Sequence, residues 1–135
     1  MASIRKELLV NAPLAHVWDA VRDVGALHTR LVPGFVIDCK IDGDSRLVTF
    51  ANGVVVRELI VDLDDSAHRL VWSAVGGRLT HHNASLEAFA NGSNQTRVVW
   101  TADVLPNTLA ATVAAMVEQG AAAMKQALER SAGAR

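Results

Sequence analysis

Tyrosine is absent from this 135-residue chain, and only three tryptophans and three phenylalanines stand in for it. The tryptophans therefore carry much of the large-ring burial available to a core. A single cysteine, Cys39, excludes an intrachain disulfide and fits a reducing compartment. A lone thiol of this kind reads as a small buried hydrophobe rather than a nucleophile. No apolar run approaches the length of a membrane span, so stable membrane insertion is not expected. The N-terminal "MASIRKELLVNAP" has charges where an export signal needs its apolar stretch, which makes a cytoplasmic location the expectation. Charge of one sign is missing too. The formal net charge is −1, and Lys and Arg are scattered among Asp and Glu, without the basic stripe that phosphate backbones demand. Nucleic acid is excluded as an expected partner.

Half the residues are hydrophobic, enough for one domain spanning 1–135 around a single core. Residues 3–10 read as a strand. Pro13 suits the first turn of a helix, where its missing N–H costs nothing, and Leu14, Val17, Trp18 and Val21 form its apolar stripe. Gly25 ends it, and a short helical "ALHTRL" runs to Pro33-Gly34. From there turn residues recur every 8–12 positions between β-rich runs: "FVIDCKI", "RLVTF", "VVVRELIVDL", "RLVWSAV", "HHNASLEAFA" and "QTRVVWTADVL". This spacing predicts an antiparallel meander. From Thr108 to about Arg130, Leu109, Val113, Met116, Val117, Met124 and Leu128 recur at helical spacing, predicting a helix roughly 35 Å long. The order is strand, two short helices, six strands, one long helix. A sheet of seven strands has a face to cover, and a long amphipathic helix covers it. The sheet must curl, and the space one helix leaves unfilled is a ligand cavity.

Strand parity divides the candidate lining. Val98, Trp100, Ala102 and Val104 form one set, placing Trp100 inward. Trp72 travels with Leu70 and Ala74, and the larger side chains favour that set inward. In the longest strand Glu58 travels with Val54, Val56, Ile60 and Asp62, and Arg57 with Val55, Leu59 and Val61. One of the two charges points into the interior; an inward Glu58 would have its ionised form disfavoured and could move a proton or anchor a ligand hydroxyl. His81 and His82 are adjacent on a strand, so their side chains diverge and cannot chelate one metal together. His16, His28 and His68 show no ligand spacing, and no metal site is expected. No nucleophile elbow and no phosphate-cradling glycine loop appear, and no cofactor is expected.

The stretches "VNAPLAHVWDAVRDVGALHTRLVPG", "RELIVDLDD", "HRLVW", "VVWTADVLP" and the closing helix, in this order, resemble the SRPBCC superfamily, the START-like helix-grip group that includes polyketide cyclase/dehydrase-like proteins. The resemblance covers nearly the whole chain. It implies an α+β fold in which a curved seven-stranded antiparallel sheet wraps around the long C-terminal helix. Residues 64–85 are also similar to plant abscisic acid receptors, where a paired glycine precedes a latch loop. Carried over by position, that similarity implies a pocket lined by Glu58, Ile60, Trp72, His81, Asn83, Ser85 and Trp100 on the sheet, with Thr112, Met116 and Gly120 on the helix. His81 would sit at the mouth. The receptors' serine-glycine-leucine-proline gate is replaced here by "ANGVVV", and their carboxylate-binding lysine falls near Ile37, so reception of that hormone is not expected. The expected ligand is a small hydrophobic molecule: a lipid, polyketide, or similar aromatic or isoprenoid compound. The loop 76–82 and the segment 30–34 would gate its entry. A cyclase/dehydratase-like enzyme using the same cavity is the alternative, and a homodimer is possible.

Overall fold

The computed structural model describes residues 1–133. Seven strands follow one another: β1 (Ala2–Val10), β2 (Val36–Asp42), β3 (Ser45–Phe50), β4 (Val55–Asp64), β5 (Arg69–Val75), β6 (His81–Ala90) and β7 (Thr96–Leu105). Helix α1 (Leu14–Arg22) and a short helical turn (Leu27–Leu31) lie between β1 and β2. Helix α2 (Ala110–Gly133) closes the fold, entered through a tighter turn at Asn107–Leu109. The strand order is β1-β7-β6-β5-β4-β3-β2, all antiparallel: a meander from β2 to β7, with β1 returned to the free edge of β7.

The elements match the expected order closely, and the boundaries moved for local reasons. Pro13 stands one residue before α1, as its N-cap, with its carbonyl accepting from the amides of His16 and Val17. The helix ends at Arg22, ahead of Gly25. Between β5 and β6 the chain reverses through Gly76 and Gly77, whose φ angles of 84° and 72° suit residues without a Cβ.

The sheet bends at two irregularities, one between Val36 and Asp38 on β2 and one between Ile60 and Asp62 on β4. An extra residue in one strand sharpens local twist and re-aims the side chains beyond it. Between the concave face and α2, Val98 and Leu70 of the sheet and Met124 and Leu128 of the helix are almost fully buried, joined by Trp18, Val17 and Val21 from α1. Polar ties fix the helices. The Nε1–H of Trp18 donates to Asp65 at 2.8 Å, and Arg22 grips the same carboxylate, fastening α1 to the β4–β5 turn. The Lys125 ammonium donates to the Leu9 carbonyl and pairs with Glu129, which accepts the Asn11 amide, pinning the far half of α2 to the end of β1. α2 packs most closely on β1 and the 27–31 turn, and more lightly on β7. The concave faces of β3, β4 and β5 are left less covered. Among the described residues no helix is long and apolar enough to cross a membrane.

Candidate functional site

That uncovered concavity is a cavity of about 440 Å³, within the range of small-molecule sites. Its walls are mostly apolar. Trp72 and Trp100 face each other with ring centroids 6.1 Å apart, and Phe35 meets Phe50 edge to face at 5.3 Å. Leu86, Val113 and Met116 complete the middle of the chamber. The mouth is framed by Gly76–Leu79, by Asn52 and Val54–Val56, and by Thr112 on the first turn of α2. Leu31 and Val32, both buried, line the cavity from the segment before β2.

Besides Asn52, Arg78 and Thr112 at its edge, three polar side chains carried on the strands reach this chamber. Glu58 settles the parity choice on β4: it points inward and is 7% exposed, whereas Arg57 turns outward to Asp42 and Ser45. Arg46, on β3 directly across from Glu58, is 3% exposed and donates from Nε to Glu58 Oε1 at 2.9 Å. Its Nη1 donates to the Val24 carbonyl at 3.1 Å, and its guanidinium lies 5.7 Å from the Trp72 ring centroid. Burial pushes the Glu58 carboxyl above the usual carboxylate range, and the Arg46 charge opposes that rise. Arg46 was missed from the sequence, although the signal was there. Arg46, Val48 and Phe50 share one face of β3, and Val48 is a core residue.

His82 is the third. The β5–β6 ladder stops at Trp72 and Ala84. Two residues further, where Ala74 would pair with His82, the Ala74 amide donates instead to the His82 ring at Nδ1, 2.9 Å away. The Ser73 hydroxyl takes up the His82 carbonyl. An Nδ1 that accepts leaves the ring proton on Nε2. Burial, with a smaller contribution from His81, holds the His82 pKa below its ordinary value, so the ring is neutral near pH 7.

The expected lining divides accordingly. Glu58, Trp72, Trp100, Thr112 and Met116 are brought together around the cavity. Asn83 and Ser85 are not: they share the outer face of β6, because His82, Ala84, Leu86 and Ala88 form the inward set. The register borrowed from the hormone receptors was off by one residue, and a one-residue shift exchanges the faces of a strand. His81 correspondingly faces solvent, and the ring at the mouth is His82. Ile60 packs against the core beside Trp72 without lining the cavity. Gly120 lies behind the wall: a Cβ there would stand 2.8 Å from the Trp100 ring and 3.2 Å from Phe35. Its role is to let α2 approach the indole.

Cys39 is buried and donates to the Val24 carbonyl, and burial raises its pKa, so the thiol is not poised to react. Among the described residues no three His, Cys, Asp or Glu side chains gather as a metal site.

A family described as polyketide cyclase / dehydrase and lipid transport matches residues 1–131. The chain belongs to that family. No functionally curated protein matches its sequence. Solved structures share its fold at low identity. An uncharacterised protein from Bacillus thuringiensis superposes with a TM-score of 0.84 at 16% identity, over 94% of this chain and 98% of that one. The di-domain ARO/CYC BexL of the BE-7585A biosynthetic pathway gives 0.83 at 16%, over 96% of this chain and 47% of that one. A START superfamily protein from Mycobacterium smegmatis gives 0.76 at 14%, over 98% and 97%. The START-like helix-grip fold is thus established, and with the family it makes this a hydrophobic-ligand-binding or cyclase-type protein.

Proposed function

We propose that the protein takes up one small hydrophobic molecule, an aromatic polyketide, lipid or isoprenoid, into the chamber between the sheet and the first half of α2. The observation that carries this reading is the cavity itself: about 440 Å³, walled by Trp72, Trp100, Phe35, Phe50 and Met116. Burying about 200 Å² of apolar ligand surface there would gain about 5 kcal/mol before the costs of association are subtracted. The three polar groups on the sheet would then fix orientation. Met116, an unbranched side chain, would adapt the helix wall to ligand shape. The protein would act in the cytoplasm, where Cys39 remains a thiol.

Native mass spectrometry of protein purified from its own host tests this reading. The expected result is a single non-covalent small-molecule adduct per chain, lost in a Val113→Trp variant that fills the chamber. A bare chain, or an adduct that survives in the filled variant, contradicts it.

The Arg46–Glu58 pair favours a second reading, in which the cavity also performs cyclase or dehydratase chemistry. A carboxylate buried beside a guanidinium can exchange a proton with a substrate held in a folded pose. BexL, named as an ARO/CYC, shares the fold. On this reading Glu58→Gln abolishes turnover of a reactive polyketone while the variant still binds an apolar fluorophore. Full turnover in that variant removes Glu58 from the mechanism.

A further inference from the structure

Three of the cavity's polar side chains, those carried on the strands, stand in one line across the sheet. Arg46 on β3 is the register partner of Glu58 on β4, Glu58 is the partner of Ala74 on β5, and the Ala74 amide is bonded to the His82 ring on β6. All four residues line the chamber. The row therefore reads cation, carboxylate, methyl, imidazole, with neighbouring strands about 4.8 Å apart. Ala74 is the one gap in it.

The hydrogen-bonding capacity left on each side of that gap is complementary. Glu58 Oε1 is occupied by Arg46, and Oε2 has no partner among the described residues. His82 Nδ1 is occupied by the Ala74 amide, and Nε2, which carries the proton, has no partner among the described residues. Among the described residues the only fully buried side-chain polar atom without a partner is His28 Nδ1, so Glu58 Oε2 and His82 Nε2 both open onto space. An acceptor and a donor thus flank a site where the protein supplies only a methyl group.

We propose that the space above Ala74 is a hydroxyl subsite: the ligand is a hydroxylated hydrophobe, its O–H donating to Glu58 Oε2 and its oxygen accepting from His82 Nε2–H. A hydroxyl is the smallest group that donates and accepts at one atom. A methyl or hydrogen at that place covers these two polar groups and leaves them unpaired, which is the arrangement that discriminates most strongly between ligands. A carboxylate would accept from His82 Nε2–H but has no proton to offer Glu58 and is repelled by it. The row selects a phenol or alcohol over an acid of the same shape.

The inference rests on the cavity-binding reading, and one pair of probes separates the two. 2-Naphthol and 2-methylnaphthalene have nearly the same shape and differ in the hydroxyl. Their affinities are read at pH 7 by displacement of N-phenyl-1-naphthylamine, in the wild type and in two variants. Ala74→Val fills the gap with a residue that suits a strand; His82→Phe removes the donor and keeps a ring. The expected result is about tenfold tighter binding of 2-naphthol to the wild type, with the ratio falling to about one in both variants. Equal affinities in the wild type overturn the subsite and leave the cavity reading standing. A tenfold ratio that persists in both variants also overturns it, because the hydroxyl is then read elsewhere. Failure of the wild type to bind the fluorophore or either naphthalene overturns the cavity reading and the subsite with it.

Discussion

Gly120 of α2 lies directly behind the indole of Trp100: a methyl group added at Gly120 would come within 2.8 Å and 2.9 Å of two ring carbons. The closing helix and the aromatic wall are therefore fitted to each other through a missing side chain. Gly120→Ala gains about 1 kcal/mol of helix propensity and loses about 1–3 kcal/mol to overpacking. The melting temperature should change by only a few degrees in consequence. The indole is driven toward the cavity, and the expected outcome is an apolar-probe affinity lowered several-fold, measured by fluorophore titration.

Arg46 and Glu58 form a buried ion pair, and breaking such a pair costs more than removing it whole. Arg46→Met should destabilise the protein by about 3–5 kcal/mol, because it leaves an uncompensated carboxylate in an apolar chamber. The double variant Arg46→Met with Glu58→Met should recover much of that loss. Urea unfolding of the two variants checks the prediction; a double variant as unstable as the single one would show that the strain lies in packing and not in charge.

His82 makes stability depend on pH in a definite window. The folded state holds its pKa below the ordinary value, chiefly through burial. Above about pH 6.5 the ring is neutral in both folded and unfolded chains. As pH falls below that value the unfolded chain takes up the proton first, so stability is lost with falling pH. Protonation of Nδ1 would also end its bond from the Ala74 amide. Chemical denaturation between pH 7 and pH 5 should show the wild type losing stability relative to His82→Phe as pH falls. The depressed carboxylates Glu7, Asp19, Asp65 and Glu129 act at lower pH. The Glu58 carboxyl, raised by burial, contributes with the opposite sign, stability falling as pH rises, and does so in both proteins, so their difference isolates His82.

The fold was legible because turn residues punctuate the strands. Asp42-Gly43, Asn52-Gly53, Asp64-Asp65, Gly76-Gly77 and Asn91-Gly92 each fall at or between strand ends. The inward places of Trp72 and Trp100 followed from alternation. Alternation within "HHNASLEAFA" also separates Ala84, Leu86 and Ala88 from Asn83, Ser85 and Glu87, and it would have turned Asn83 and Ser85 outward. The borrowed register overrode that local signal. The partnership of Arg46 with Glu58 depends on how β3 and β4 are aligned, 12 residues apart in the chain. No local pattern states that alignment. The His82–Ala74 bond is further from view, since it exists only because the ladder between β5 and β6 stops short.

The claim on which the account turns is that the hollow between sheet and α2 is open and greasy enough to hold a ligand. Titration with N-phenyl-1-naphthylamine, an uncharged apolar fluorophore, tests it most directly in the wild type and in Val113→Trp. The predicted result is a saturable fluorescence rise at one site per wild-type chain, and its loss in Val113→Trp with the circular dichroism spectrum intact. A folded wild type with no saturable uptake, or equal uptake by both proteins, would contradict it.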